Sequence, residues 1–209
     1  MNIKTILKKL VFSHSKNYWE RRYRRGGNSG KGSYGDYAIF KAEVINQFLD
    51  EHPLESVIEF GCGDGAQLQR INYPHYTGFD VSESVIARCR QLFTDRNDRE
   101  FHHIGEYDGQ KVDLSLSLDV IYHLIEDDTY TDYMERLFSS SRNYVIIFSS
   151  NTDQKVRNNL PHIKHRKFTD YVDKKTNGWN LIQTIVNKEL QLVDPSPLHA
   201  DFFVYQKTD

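Results

Sequence analysis

The sequence has 209 residues, which is enough for one well-buried domain and short for two. Its 38% hydrophobic and 27% charged residues are the balance of a globular protein, and no run approaches the roughly 20 apolar residues of a membrane span. The net charge is only −2, but the first 35 residues hold nine Lys and Arg against one acid and leave an acidic remainder, which disfavours a general nucleic-acid binder.

Cysteine usage points to a reducing compartment. Cys62 and Cys89 are the only cysteines and lack the spacing of metal ligands, so the sequence predicts neither a disulfide framework nor a metal site. Residues 1–12 combine lysines with a short apolar core and no small-residue cleavage site, which argues against a secretory signal. We therefore expect a cytoplasmic protein.

The N-terminal region is basic and aromatic. Residues 15–25 interleave aromatic rings with arginines, at a spacing that places Trp19 and Tyr23 on one face of a helix. The next ten residues, 26–35, contain five glycines and complete no phosphate-loop pattern. Two interpretations stay open for this extension, residues 1–36: a solvated linker, or a lid that orders over a ligand site.

A glycine turn is the strongest feature of the chain. A predicted amphipathic helix over residues 37–51 precedes an apolar strand that starts at Val57 and runs into Gly61, Gly63 and Gly65. Residues 67–70 are predicted to begin a helix. A buried strand that turns sharply into a helix is where α/β proteins bind nucleotides, and glycine lets a ligand approach the main chain.

The acids beside this turn bear on which nucleotide it binds. Gly61, Gly63 and Ala66 satisfy the dinucleotide fingerprint, which keeps NAD open. Glu59 and Asp64, however, place negative charge where a pyrophosphate would lie, whereas they would attract the ammonium and sulfonium of S-adenosylmethionine. The acids therefore favour the cationic cofactor.

Residues 59–65, Glu-Phe-Gly-Cys-Gly-Asp-Gly, resemble the first motif of the class I S-adenosylmethionine-dependent methyltransferases. Residues 76–80 and 113–124 follow in the family's order, so the resemblance covers roughly residues 40–209. It implies an α/β fold over residues 37–209, a doubly wound seven-stranded methyltransferase (Rossmann-like) sheet with an antiparallel last strand. The short connection before residues 200–207 independently suits such a hairpin strand.

The resemblance also implies a set of cofactor-binding residues. Asp80, at the end of the second strand, would accept hydrogen bonds from the ribose hydroxyls. Glu106 would accept from the adenine amino group, Tyr107 would pack on the ring, and Asp119 would face the methionine end. The full predicted set is Glu59, Gly61, Cys62, Gly63, Gly65, Asp80, Val81, Glu106, Tyr107 and Asp119.

The predicted acceptor side carries histidines. Tyr122 and His123 follow the fourth strand and would face the transferable methyl. His162 and His165 follow the fifth strand, where this fold commonly builds acceptor contacts, and could serve as a base and an anion contact or lie on a solvated surface. A hydroxyl acceptor benefits from a base, for which His123, His162 and His165 are the candidates.

The predicted reaction is methyl transfer to a small acceptor. The tryptophan–arginine segment, the glycine-rich loop and residues 40–44 are similar to methyltransferases of bacterial surface-polysaccharide assembly, which implies O-methylation of a sugar or a phosphate-bearing saccharide precursor. A small-metabolite methyltransferase, an NAD-dependent oxidoreductase and a catalytically silent scaffold remain as alternatives. We expect no nucleic-acid partner and no integral membrane segment, and the oligomeric state is left open.

Overall fold

The computed structural model describes residues 14–154, 160–188 and 199–208. Within these ranges seven strands form one sheet in the order β3-β2-β1-β4-β5-β7-β6. The strands are β1 Ser56–Phe60, β2 His75–Asp80, β3 Arg99–His103, β4 Val112–Leu118, β5 Ser141–Ser149, β6 Trp179–Ile185 and β7 Asp201–Lys207.

Strand direction follows the predicted fold. β1 runs parallel to both β2 and β4, and β3 and β5 continue the parallel run on either side. β7 is antiparallel to β5 and to β6, between which it lies. The predicted seven-stranded sheet with its antiparallel final strand is confirmed. Because the strand order reverses beside β1, the carboxyl ends of β1 and β4 flank a crevice of the kind that binds ligands.

Helices cover both faces of this sheet. They are α1 Ser15–Arg24, α2 Gly35–Glu51, α3 Glu83–Leu92, α4 Asp127–Ser139 and α5 Phe168–Lys175, with short 3₁₀ turns at Lys31–Ser33, Leu68–Arg70, Ile104–Glu106 and Ile121–His123. Successive strand residues enter opposite cores: Val57 and Ile146 pack with α2 and α3, whereas Ile58 and Ile147 pack with α4 and α5.

Two local predictions differ from the structure. The helix predicted from residue 67 is only the 3₁₀ turn Leu68–Arg70, because Ile71 is already extended and Pro74 follows shortly. Helix α2 begins at Gly35, two residues earlier than predicted. The turn predicted at Pro195 and Pro197 lies outside the described residues. No helix in the described parts of the chain is both long and apolar enough to cross a membrane.

Candidate active site

The glycine turn, Gly61–Gly65, is shaped by hydrogen bonds at the end of β1. The N–H groups of Gly61 and Cys62 both donate to the carbonyl of Phe79 on β2, at 2.7 and 3.0 Å. Gly61, Gly63 and Gly65 all have positive φ, between 59° and 84°. That backbone conformation favours glycine, and a side chain at Gly63 would collide with Ser29.

A cavity of about 500 Å³ opens at the carboxyl ends of β1, β2 and β4. This is within the roughly 300–1,000 Å³ of small-molecule sites. Eight predicted site residues line it: Glu59, Gly61, Cys62, Gly63, Asp80, Val81, Asp119 and His123. Six others are not part of its wall: Gly65, Glu106, Tyr107, Tyr122, His162 and His165.

Glu59 and Asp80 are buried acids in the wall of this cavity. Burial raises the pKa of Glu59 to about 7, against the opposing effects of a 2.7 Å hydrogen bond from the Tyr76 hydroxyl and of the nearby Lys41. Burial likewise raises the pKa of Asp80 to about 6, although its carboxylate accepts from the N–H groups of Gly63 and Ser82. A bound cation would favour the ionised form of both acids.

Asp119 joins three elements at the end of β4. Its Oδ2 accepts from Lys41 Nζ at 2.7 Å, and its Oδ1 accepts from the Tyr122 hydroxyl at 2.8 Å. Asp119 has φ of 61°, an uncommon conformation for a residue with a side chain and one that clusters at functional sites. Tyr122 therefore lies outside the cavity wall and orients Asp119. Burial and the nearby Asp119 carboxylate raise the pKa of Tyr122.

The glycine-rich loop, residues 26–35, is docked on the glycine turn. Asp64 Oδ2 accepts from the N–H of Ser29 at 2.8 Å and from the hydroxyl of Tyr34 at 2.6 Å. The N–H of Asp64 in turn donates to Ser29 Oγ at 2.9 Å, and the Tyr23 hydroxyl is 3.0 Å from the same oxygen. Asp64 therefore holds the glycine-rich loop against the glycine turn. The charge of Asp64 did not predict this role.

Helix α1 contributes residues to the cavity wall and is anchored at two points. Glu20 accepts from the hydroxyls of Ser82 and Ser84 at the start of α3, at 2.7 and 2.6 Å. Ser15 donates from its N–H and its hydroxyl to Glu126, at 3.1 and 2.6 Å. With these anchors, α1 places Trp19 and Tyr23 in the cavity wall.

An aromatic and histidine cluster lies beside the cavity, and its members Trp19 and His123 line the wall. The Trp19 and His123 rings meet edge to face with centroids 4.9 Å apart, and Tyr18 stacks on His162 at 4.4 Å. His123 Nδ1 lies 2.9 Å from the carbonyl oxygen of His162. A carbonyl only accepts, so Nδ1 carries the hydrogen and Nε2 is left as the lone-pair nitrogen of the neutral ring.

Burial sets the charge state of this histidine. It lowers the pKa of His123 to about 4, against the opposing effects of the His162 carbonyl and of Asp119. His123 is therefore neutral at physiological pH. His165 is bonded elsewhere, with Nδ1 2.6 Å from Ser150 Oγ, and burial lowers its pKa as well.

Glu106 and Tyr107, predicted at the adenine pocket, take part in local structure beside it. The Glu106 carboxylate accepts from the backbone N–H of His103 at 2.8 Å and caps the turn Ile104–Glu106. Tyr107 packs its ring against Phe60 and Phe79. Ile104 is the residue of this turn that lines the cavity.

Lys41 and Gln67 are cavity residues that the sequence predictions missed. Lys41 is only 1% exposed, on the buried face of α2, and Gln67 is 7% exposed. Lys41 lies on the same face of α2 as Ala38 and Ile45, and the other buried residues of this face are apolar. A lysine on an otherwise apolar helix face is the sequence signal that would have identified it.

The wall of the cavity fits S-adenosylmethionine. Glu59, Asp80 and Asp119 supply acceptors for its cationic and hydroxyl groups, the glycine turn permits close approach, and apolar residues such as Phe79 and Ile104 form a surface for a base. In the described residues, no group of three or more His, Cys, Asp and Glu side chains is arranged to hold a metal ion.

Comparison with known proteins agrees with this geometry. A family model described as "Methyltransferase domain" matches residues 58–142. An eEF1A lysine and N-terminal methyltransferase of Danio rerio is 32% identical over 85 residues, which are 39% of this chain. The chain spans only 12% of the length of that relative.

Solved structures share the fold at low sequence identity. The N-methyltransferase NodS of Bradyrhizobium japonicum WM9, in complex with S-adenosylhomocysteine, has a TM-score of 0.69 at 13% identity, covering 94% of this chain and 100% of its own. A 1,6-didemethyltoxoflavin-N1-methyltransferase of Burkholderia thailandensis also has a TM-score of 0.69, at 16% identity, covering 100% of this chain and 92% of its own. Residues 58–142 therefore match a methyltransferase domain, and the described residues have the class I methyltransferase fold.

Proposed function

We propose that this protein methylates a hydroxyl oxygen of a small anionic acceptor, a sugar or a phosphate-bearing saccharide precursor of a bacterial surface polysaccharide. The observation that carries the proposal is the tautomer of His123. Its Nδ1–H donates to the His162 carbonyl, so the lone pair of Nε2 is available beside Trp19 in the cavity wall.

The cofactor of the proposed reaction is S-adenosylmethionine, which would supply an electrophilic methyl group on a sulfonium. The acceptor oxygen would form a bond to the methyl carbon as the carbon–sulfur bond breaks and S-adenosylhomocysteine leaves as a neutral thioether, and Nε2 of His123 would take the proton that this oxygen loses. The carbonyl of His162 then stabilises the imidazolium through Nδ1–H. With a pKa of about 4, His123 is a weak base, so positioning and exclusion of water by α1 and the docked loop supply the larger share of the acceleration.

Charge and shape support a saccharide acceptor that carries an anion. Lys16 and Arg136 line the cavity, and neither forms an ion pair with a described carboxylate. Both would attract a phosphate or carboxylate. The indole of Trp19 offers an apolar face to the C–H groups of a sugar ring.

Replacing His123 tests the proposed base. We expect His123→Gln to lower kcat by about 100-fold or more while leaving the affinity for S-adenosylhomocysteine unchanged, because the ring takes the acceptor proton and no cofactor contact depends on it. Steady-state rates and calorimetric titration measure the two quantities. The exposed His75→Gln variant is the matched control, and a His123→Gln enzyme with full turnover would exclude His123 as the base.

The acceptor itself is found by screening. Free sugars, sugar phosphates and nucleotide sugars are incubated with enzyme and S-adenosylmethionine, and methylated product is detected by mass spectrometry. We expect turnover to require an anionic group on the acceptor, so that Arg136→Gln raises KM for it. Turnover of uncharged sugars with equal efficiency would contradict the anionic part of the proposal.

A nitrogen acceptor is the second candidate. It is favoured by the 32% identity to an eEF1A lysine and N-terminal methyltransferase over the matched 85 residues. A neutral His123 could also take the proton of an amine. Methylation of lysine peptides or protein N-termini, without methylation of any saccharide, would establish this candidate instead.

A further inference from the structure

Lys41 is a buried cation at the methionine end of the proposed cofactor site. Its side chain is 1% exposed, its Nζ donates to Asp119 Oδ2 at 2.7 Å, and it lies 5.3 Å from the centroid of the Phe148 ring. An ammonium has three N–H donors, and Asp119 takes one of them. Burial of a lysine is costly unless its remaining donors are used, which suggests a further acceptor at this point of the cavity wall.

Gln67 lines the same cavity and has the complementary feature, a buried acceptor without a donor. Its Nε2 donates to the carbonyl of Ala38, one turn before Lys41 on α2, which fixes the orientation of the amide. Its Oε1 is buried and has no hydrogen-bond partner among the described residues, although Gln67 lines the cavity. Leaving a buried acceptor unsatisfied is unfavourable, so a donor from a ligand is expected there.

We propose that Lys41 and Gln67, together with Asp119, form a receptor for the α-amino-acid head group of the cofactor. This inference rests on the cofactor of the proposed function. The free donors of Lys41 bind the α-carboxylate, whereas Gln67 Oε1 and the Asp119 carboxylate accept from the α-ammonium. The Lys41 ammonium and the Asp119 carboxylate are 2.7 Å apart in the buried wall of the cavity. The head group is a zwitterion, whose carboxylate and ammonium are also a few ångströms apart, so each of its charges can face the opposite charge of the protein.

A purely structural role for Lys41 is the competing explanation. Lys41 would then only neutralise Asp119, and its loss would disturb every ligand of the cavity to the same degree. Binding of truncated ligands separates the two explanations. S-adenosylhomocysteine has both head-group charges, its decarboxylated derivative keeps the amine alone, and 5′-methylthioadenosine has neither.

Calorimetric titration of the full chain with these three compounds is the test. We expect Lys41→Met to weaken S-adenosylhomocysteine by about 10- to 100-fold, the loss typical of a hydrogen bond to a charged group, and to leave the other two compounds within about twofold of the wild type. Gln67→Met should weaken both amine-bearing compounds and spare 5′-methylthioadenosine. Lys41→Arg should recover part of the lost affinity.

The exposed Lys111→Met variant is the control for loss of a positive charge. Equal weakening of all three compounds by Lys41→Met would overturn the receptor, and so would unchanged binding of S-adenosylhomocysteine by both variants. If Lys41→Met fails to fold, the ligand pattern of Gln67→Met decides alone. Failure of the wild type to bind S-adenosylhomocysteine would instead overturn the cofactor assignment, and with it this inference.

Discussion

The Asp80 carboxylate bonds to the backbone on both sides of the candidate ribose site. Its Oδ2 accepts from the N–H of Gly63 at 3.1 Å, and its Oδ1 accepts from the N–H of Ser82 at 2.9 Å. The same side chain lines the cavity at the end of β2, where ribose hydroxyls are bound in this fold. The acid therefore holds the glycine turn in place for the ligand that it is predicted to bind.

Replacing Asp80 by Ala should weaken S-adenosylhomocysteine by about 1.5–3 kcal/mol, because charge-assisted bonds to the ribose are lost. Titration calorimetry measures the affinity, and thermal unfolding of the ligand-free variant reports the loss of the two backbone contacts separately. Asp95→Ala, in an exposed turn, is the control. An unchanged affinity would remove Asp80 from the ribose site.

Gly63 and Gly109 form a matched pair for testing the close approach at the turn. Both have positive φ, 59° and 95°, so alanine strains the backbone at each by roughly 1–2 kcal/mol. Only at Gly63 would the new methyl group collide, with Ser29, whereas nothing lies within 4 Å at Gly109. We expect Gly63→Ala alone to reduce the affinity for S-adenosylhomocysteine, as measured by titration. Equal affinities for the two variants would mean that the ligand does not approach Gly63.

At the scale of elements, the glycine-rich loop and the glycine turn hold one another. Ser29 and Tyr34 bond to Asp64, and Gly32 lies so close to Asp119 that a Cβ there would come within 2.6 Å of Oδ2. The sequence left two interpretations of this loop open, linker and lid, and the lid over a ligand stays a prediction. The same contacts make the loop part of the cavity wall through Ser29 and Ser33.

Tyr34→Phe tests this docking with the loss of a single hydroxyl. The variant loses the 2.6 Å bond to Asp64, and hydrogen bonds to charged groups contribute about 1.5–3 kcal/mol. We expect faster hydrogen exchange in residues 26–35. Tyr37→Phe, on the adjoining helix α2, is the control. If exchange in the loop is unchanged in Tyr34→Phe, the hydroxyl does not hold the loop.

The sequence predicted the sheet well because its strands are buried apolar runs at the positions that the fold requires. Glu59 and Asp80 lie at the carboxyl ends of β1 and β2, and Asp119 directly follows β4, so the order of the strands alone brings the three acids to one edge of the sheet. Tertiary contacts were harder to predict. Nothing local shows that Lys41 reaches Asp119, or that Glu20 reaches Ser82, because these pairs are 78 and 62 residues apart.

Local competition accounts for the predicted residues that lie away from the cavity. The Glu106 carboxylate is bonded to the N–H of His103, three residues earlier in the chain, and such short-range caps compete with ligand contacts. His165 is bonded to Ser150, at the end of β5. Ile104 of the turn after β3 lines the cavity, whereas none of the described residues 160–167 does. Sequence position alone did not show which side chains face the cavity.

For the whole molecule, the acids of the cavity couple stability to pH. Folding raises the pKa of Glu59 to about 7 and that of Asp80 to about 6, so the unfolded chain binds fewer protons than the ligand-free fold between about pH 4 and 7. Their contribution to stability is present at low pH and is lost as pH rises through 7. His123, whose pKa is lowered, contributes in the opposite sense and loses stability as pH falls from about 6.5 to 4.

A cationic ligand should reverse the effect of the acids, because it favours their ionised forms. We therefore expect the increase in melting temperature given by saturating S-adenosylmethionine, which carries a sulfonium, to grow from about pH 5.5 to pH 8, and Glu59→Gln to flatten this dependence. Thermal unfolding with and without ligand measures it. An increase that is the same at every pH would show that Glu59 is already ionised in the ligand-free protein.

The docking of Ser29 and Tyr34 on Asp64 has a consequence for the catalytic cycle. Helix α1 and the loop form part of the cavity wall, so we expect spent cofactor to leave only after these hydrogen bonds have broken. The residence time of S-adenosylhomocysteine would then be set by loop opening, and a tightly held by-product would inhibit the proposed reaction until that opening occurs. Steady turnover would in that case follow the rate of product departure rather than the rate of methyl transfer.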